Sequence, residues 1–128
     1  MNAKAQESKL HLDIRQRQEN LGALVGRLQS GAPMIKGSIY IRERLCGKPQ
    51  CRCVQGHRHR DRVLAVRRGG RVVIRKLDTT ADAATGEAVL AWRLFRRYRI
   101  ELARSCRGLI AAVDRLGLLR QAKTGGSI

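Results

Sequence analysis

The sequence predicts an α+β protein: an N-terminal helix, a small antiparallel β-sheet or hairpin carrying a Cys/His knuckle, and a long amphipathic C-terminal helix. Three observations lead there. Apolar residues at both ends of the chain recur at helical spacing, the middle third alternates or runs in β-branched stretches, and Cys46, Cys51, Cys53, His57 and His59 crowd into one short segment of that third. Four parts follow: residues 1–33, 34–78, 79–120 and a flexible tail, 121–128.

The first helix is expected from about Ser8 to Gln29. Leu10, Ile14, Leu21, Leu24 and Leu28 alternate in steps of three and four, with Arg17 interrupting the stripe. Such a narrow seam suits pairing with one other helix, as a coiled-coil or dimer arm, and Gly31 and Pro33 end it. In the middle part, Ser38 to Arg42 alternates, and residues 62–67 and 71–77 are β-branched runs on either side of Gly69-Gly70. Two glycines tolerate the positive φ of a tight hairpin turn, so these runs pair as antiparallel strands. The last helix is expected from about Thr80 to Leu116, capped by Thr79 or Thr80, with Asp82 at the positive end of its dipole. Ala88, Trp92, Phe95, Leu102, Cys106, Leu109, Val113 and Leu116 form its expected apolar stripe. Arg93, Arg96, Arg97, Arg104, Arg107 and Arg115 lie opposite, and Gly86 and Gly108 are places where it can bend or break.

Charge is the outlier. Lys and Arg total 27 against 10 acidic residues in 128, a net charge of +17, while aromatic residues make up only 3%. Residues 36–76 alone hold thirteen basic side chains against Glu43 and Asp61, a net charge of +11. A field of that size implies a polyanionic partner, and nucleic acid is the natural one, because each neutralised phosphate releases condensed counterions. No membrane partner is expected: there is no long apolar run, no lipidation signal and no secretory leader. A cytoplasmic protein is therefore predicted, nucleoid-associated if it binds DNA, with its cysteines reduced.

In a reduced compartment, clustered cysteines point to metal or to a reactive thiol rather than to a disulfide. Thiolates and a neutral imidazole nitrogen complete a tetrahedral Zn²⁺ site, and Cys46, Cys51, Cys53 and His59 are the expected ligands of one zinc per chain, with His57 as the substitute. Gly47, Pro49 and Gly56 permit the turns this requires, and Lys48 and Arg52 lie close enough in sequence to favour thiolates. The competing readings are a packed cluster of small apolar thiols and a redox dithiol, the latter without the usual C-x-x-C spacing. Cys106 is expected in the core of the last helix.

The run Lys36-Gly37-Ser38, then Cys46-Gly-Lys-Pro-x-Cys51-Arg-Cys53-x-x-Gly56-x-x-His59, then a hairpin closing on Gly-Gly-Arg, resembles an uncharacterised family of small bacterial and archaeal proteins. That family is a domain of unknown function with a C-G-K-P-x-C-x-C-x-x-G-x-x-H-G-P motif before a hairpin and a C-terminal helix, and its members are often encoded near transposases. The resemblance spans roughly residues 34–116. It implies Cys46, Cys51, Cys53 and His59 as the motif positions and gives His57 no counterpart. Where the family has Gly-Pro and aromatics after the histidine, this chain has Arg60, Asp61 and Arg62, which favours phosphate contact over stacking.

The function expected is therefore a small basic nucleic-acid-binding protein, accessory to a mobile element. It would bind duplex DNA rather than RNA, mainly through phosphates. Lys48, Arg52, Arg58, Arg60, Arg62, Arg68, Arg71, Arg93, Arg97 and Arg104 are the expected contacts, since arginine can grip a phosphate with two parallel hydrogen bonds. With Tyr40 the one aromatic of the basic module, a single-strand stacking platform is disfavoured. The alternative is a homo-oligomeric adaptor, dimerised through its helices, whose basic face binds an acidic protein. No enzyme is expected, because Glu43 and Asp61 resemble separate salt-bridge partners and Tyr40 and Tyr98 are more cheaply explained by packing.

Overall fold

A computed structural model describes residues 2–78 and 82–124. Its elements are α1 (Ala3–Gln29), β1 (Gly37–Arg44), a 3₁₀ turn (Arg52–Gln55), β2 (His59–Arg68), β3 (Arg71–Lys76) and α2 (Ala83–Thr124). This is the α+β arrangement expected. The chain forms two compact units, one drawn from Met1–Gly31 with Phe95–Ile128 and the other from Ala32–Leu94.

In the first unit, α1 begins five residues earlier than expected, because Asn2 caps it. The Asn2 side chain accepts a hydrogen bond from the Ala5 N–H at 2.8 Å, a contact worth about 1 kcal/mol relative to alanine. The covered positions of α1 include Leu10, Ile14, Arg17, Leu21, Leu24 and Leu28, and those of α2 include Tyr98, Leu102, Ser105, Leu109, Ala112, Leu116 and Leu119. Both sets follow the seven-residue repeat of a paired helix seam. The pairing is antiparallel: Glu7 meets Arg120 at 3.2 Å, Asp13 meets Arg115 at 3.6 Å, and Arg27 lies 5.3 Å from the ring centre of Tyr98. Arg17 keeps its place on the seam because Gly108 stands opposite with no side chain, and Asp13 pairs its guanidinium at 3.0 Å.

Two expectations for α2 are corrected here. Cys106 and Val113 are exposed, and Ser105 and Ala112 take their places at the contact. A wide apolar stripe suits a helix covered by a whole core. A single partner helix covers a narrower seam and favours small residues where the backbones approach most closely. The helix also runs through Gly86 and Gly108 without a break and continues past Leu116 to Thr124. Residues 121–124 of the expected tail are thus helical, while 125–128, and the proposed caps Thr79 and Thr80, lie outside the described residues.

The second unit is a three-stranded antiparallel sheet in the order β1-β2-β3 with the first turns of α2. Gly69 and Gly70 make the two-residue hairpin turn, both at positive φ (56° and 79°), so the strands leave it in register, Arg68 opposite Arg71. Leu64, Leu77 and Val89 form the core, with Ile35, Ile39 and Val66 against them. The Ile35 N–H donates to the Ala88 carbonyl at 3.0 Å, and the Lys36 ammonium lies 5.9 Å from the Trp92 ring centre. At the start of α2, the Asp82 carboxylate accepts from the Asp78 N–H at 2.8 Å and from Arg75 at 3.2 Å, and these contacts hold it below the usual carboxylate range. Among the described residues, no helix is long and apolar enough to cross a membrane.

Candidate metal centre

The segment between β1 and β2 folds back on itself through short local hydrogen bonds. The Cys51 N–H donates to the Lys48 carbonyl and the Val54 N–H to the Cys51 carbonyl, each at 3.2 Å, which winds the chain into the 3₁₀ turn. Gly56, at φ 107°, closes that turn with its N–H on the Cys53 carbonyl and redirects the chain into β2. The strand register then sets Arg44 opposite His59, so the two ends of the segment meet.

These turns bring Cys46, Cys51, Cys53 and His59 together, with their four ligand atoms all within 4.8 Å of one another. The Cys46 and Cys53 sulfurs are 3.6 Å apart, and the Cys51 sulfur is 3.2 Å from His59 Nε2. A tetrahedral Zn²⁺ with ordinary bond lengths needs edges of about 3.8 Å between sulfurs and about 3.5 Å between sulfur and nitrogen. These two edges lie within a few tenths of an ångström of those, the remaining ones lie within 4.8 Å, and a disulfide needs about 2 Å. Cys53 is buried (1% exposed) and the other three are half-buried, so the group can hold a metal ion away from bulk water. His57 and Cys106 are exposed and outside the cluster.

Electrostatics favour thiolate at one corner. The Lys48 backbone N–H, more than any side chain, pulls the Cys46 thiol down to about 6. The sequence suggested the Lys48 and Arg52 side chains for this, yet both are exposed. A hydrogen bond from the Cys46 backbone pulls Cys53 down as well, but burial and the neighbouring thiols override it and push that thiol up.

Beside the cluster lies an arrangement that sequence reasoning missed. Asp61 is buried (6% exposed) and gathers three cations: Arg42 at 3.4 Å, Arg44 through its Nε–H, and Lys76 at 3.4 Å. Above all the Arg44 hydrogen bond holds the Asp61 carboxyl down at about 2. Arg44 is in turn held charged by Asp61 first, and also by the Cys46 and Cys53 sulfurs, so one guanidinium interacts with both the buried acid and the cysteines. From the sequence alone Asp61 resembles a separate salt-bridge partner. Only the strand register, which sets it directly across from Arg42, reveals the cluster.

All ten arginine and lysine positions expected to meet nucleic acid are exposed. Lys48, Arg52, Arg58, Arg60, Arg62, Arg68, Arg71 and Arg93 belong to the sheet unit, and Arg97 and Arg104 to the helical unit. Alternation along β2 sets Arg60, Arg62 and Arg68 on the face that also carries Leu64 and Val66, so apolar residues separate the two basic ends. Arg62 rests against Gly86 of α2, and Arg60 pairs loosely with Glu43 at 3.9 Å.

No curated protein and no solved structure matches the chain. A family model described as Domain of unknown function (DUF6788) matches residues 11–82, from the third turn of α1 through the sheet to the residue before α2. That span is more than half of the chain and holds the whole Cys46, Cys51, Cys53 and His59 cluster, and the chain belongs to this family.

Proposed function

We propose that the protein is a small duplex-DNA-binding module in which one zinc ion, held by Cys46, Cys51, Cys53 and His59, fixes a basic loop. Four protein ligands would leave the metal no open position, which suits a structural centre rather than a catalytic one. The observation that carries the reading is the fate of the acids in the basic module. Of the two carboxylates in residues 36–76, Asp61 is buried among its own cations, and the outward surface keeps only Glu43 against the exposed arginines and lysines. The polyanion fits that surface better than a stacked single strand does, because Tyr40 is the one exposed aromatic among the described residues. A role beside mobile elements is part of the proposal and is supported by the motif resemblance, and a cytoplasmic place on the nucleoid follows from the DNA reading.

A duplex of random sequence, titrated with salt, tests it. Affinity is expected to fall by roughly 10³–10⁵ between about 50 and 200 mM salt for six to ten phosphate contacts. Changing Arg58, Arg60 and Arg62 together to alanine should flatten the logarithmic slope by about two to three. A flat response in the parent protein removes the DNA reading.

A specific observation also favours self-association through α2. Ala103, Cys106, Ile110 and Val113 form an exposed stripe at seam spacing, and Arg107 and Asp114, both exposed, flank Ile110. A two-fold axis at Ile110 would set each Arg107 beside Asp114 of the second copy. Ile110→Cys in a Cys106→Ser background is then expected to form a disulfide-linked dimer in the metal-loaded protein, and Ile100→Cys on another face is not. Equal crosslinking at both positions counts against the dimer.

A further inference from the structure

β3 is an outer strand of the sheet, and the phase of its ladder tells which backbone groups face outward. The two-residue turn makes Arg68 and Arg71 a hydrogen-bonded pair, and the Leu77 N–H still donates to the Arg62 carbonyl at 2.8 Å at the far end. Arg71, Val73, Arg75 and Leu77 therefore turn their N–H and C=O groups towards β2. Val72, Ile74 and Lys76 turn theirs to the open edge, where no described residue pairs with them.

All six residues of β3 are exposed, and three large aliphatics stand in a row: Val72 is 58%, Val73 48% and Ile74 43% exposed. Natural sheets usually shorten, kink or cover such an edge. The charge around it has one sign. Arg71, Arg75 and Lys76 lie on the strand and Arg67 and Arg68 across the turn, Asp61 and Asp82 are already committed to Lys76 and Arg75, and Asp78 lies beyond the last residue of the strand.

We propose that the β3 edge is a docking strand for an extended segment of a protein partner in which aliphatic and acidic residues alternate. Backbone groups of Val72, Ile74 and Lys76 supply the hydrogen-bond ladder, the aliphatics pack against their counterparts, and the cations select the acidic residues. A second copy of this chain fits less well, because two β3 strands would bring three cations against three. A nucleic-acid backbone has no alternating donor and acceptor ladder to offer this edge. The inference stands apart from the DNA reading, since it uses the edge backbone rather than the arginine side chains alone.

The test uses the full-length, metal-loaded, ¹⁵N-labelled protein and two short synthetic peptides, one alternating valine with glutamate and one alternating valine with lysine. The valine/glutamate peptide is expected to slow amide exchange at Val72, Ile74 and Lys76. The lysine version should bind at least about tenfold more weakly. Ile74→Pro removes an outward N–H and no bond to β2, so it should abolish peptide binding while Tm and duplex affinity stay near those of the parent. If that variant does not fold, Arg68→Glu with Arg71→Glu serves instead, and should lower the preference for the glutamate peptide by about tenfold. The proposal is overturned by unslowed exchange at the three amides, by equal binding of both peptides, or by binding that survives Ile74→Pro. Protection of the same amides in the free protein that rises with its concentration would also overturn it, in favour of a second copy.

Discussion

Protein purified without chelator is expected to carry one zinc ion per chain by elemental analysis, and the Cys51→Ser, Cys53→Ser double variant none. The consequence for folding is large. Between β1 and β2 the one buried side chain is Cys53, and the rest of the segment is held by a few turn hydrogen bonds at 3.2–3.3 Å. Such a loop has too little apolar burial to offset its conformational entropy, so the free energy of metal binding becomes free energy of folding. Structural zinc sites contribute about 10–16 kcal/mol in small peptides at neutral pH. Part of that would be expressed here as order in the loop. Chelation of the parent should therefore lower Tm and speed amide exchange from Cys46 to His59, and the double variant should resemble the chelated parent and ignore further chelator. Metal-free protein whose Tm is unmoved by added zinc would refute the assignment, and the packed-thiol reading would replace it.

The same segment marks where the sequence was legible and where it was not. The Cys/His spacing, the hairpin at Gly69-Gly70 and the α1 seam are local signals, each written in a few neighbouring residues, and each corresponds to what the chain forms. The start of α1 was misplaced because a cap at Asn2 precedes the first apolar residue of the stripe. Cys106 and Val113 were misassigned for a different reason. An amphipathic helix has a wide apolar face, and which strip of it is covered depends on how many neighbours it has. The Asp61 cluster needed the most information. Arg42 and Arg44 reach it from β1 and Lys76 from β3, and a register shift of one residue would turn Asp61 to the opposite face.

That cluster carries the second large prediction. Asp61→Asn is expected to lower Tm by more than any single change among the exposed arginines, because it leaves Arg42, Arg44 and Lys76 converging without their counter-charge. The effect has a defined pH dependence. The Asp61 carboxyl is held at about 2 in the folded chain, below the roughly 4 of an unfolded aspartate, so the folded state favours the ionised form. Its stabilisation is fully present above about pH 4 and is lost as pH falls through about 2. The Tm gap between parent and Asp61→Asn, both stripped of metal so that thiolate protonation does not displace an ion, should be constant near neutrality and close across that window. A direct carboxyl titration by ¹³C resonance, with its midpoint near 2, checks the same claim should the stripped proteins unfold. A gap that does not narrow in acid, or a midpoint near 4, would mean the three cations are held by something other than this carboxylate. The outcome also bears on the metal. Arg44 pairs with Asp61 and also interacts electrostatically with the Cys46 and Cys53 sulfurs, and a three-thiolate, one-imidazole zinc site would carry a net negative charge that this guanidinium offsets. Freed from Asp61, Arg44 loses its fixed position beside the thiolates, and Asp61→Asn should release zinc to a chelator roughly 10- to 100-fold more readily, the range seen when the supports around metal ligands are removed.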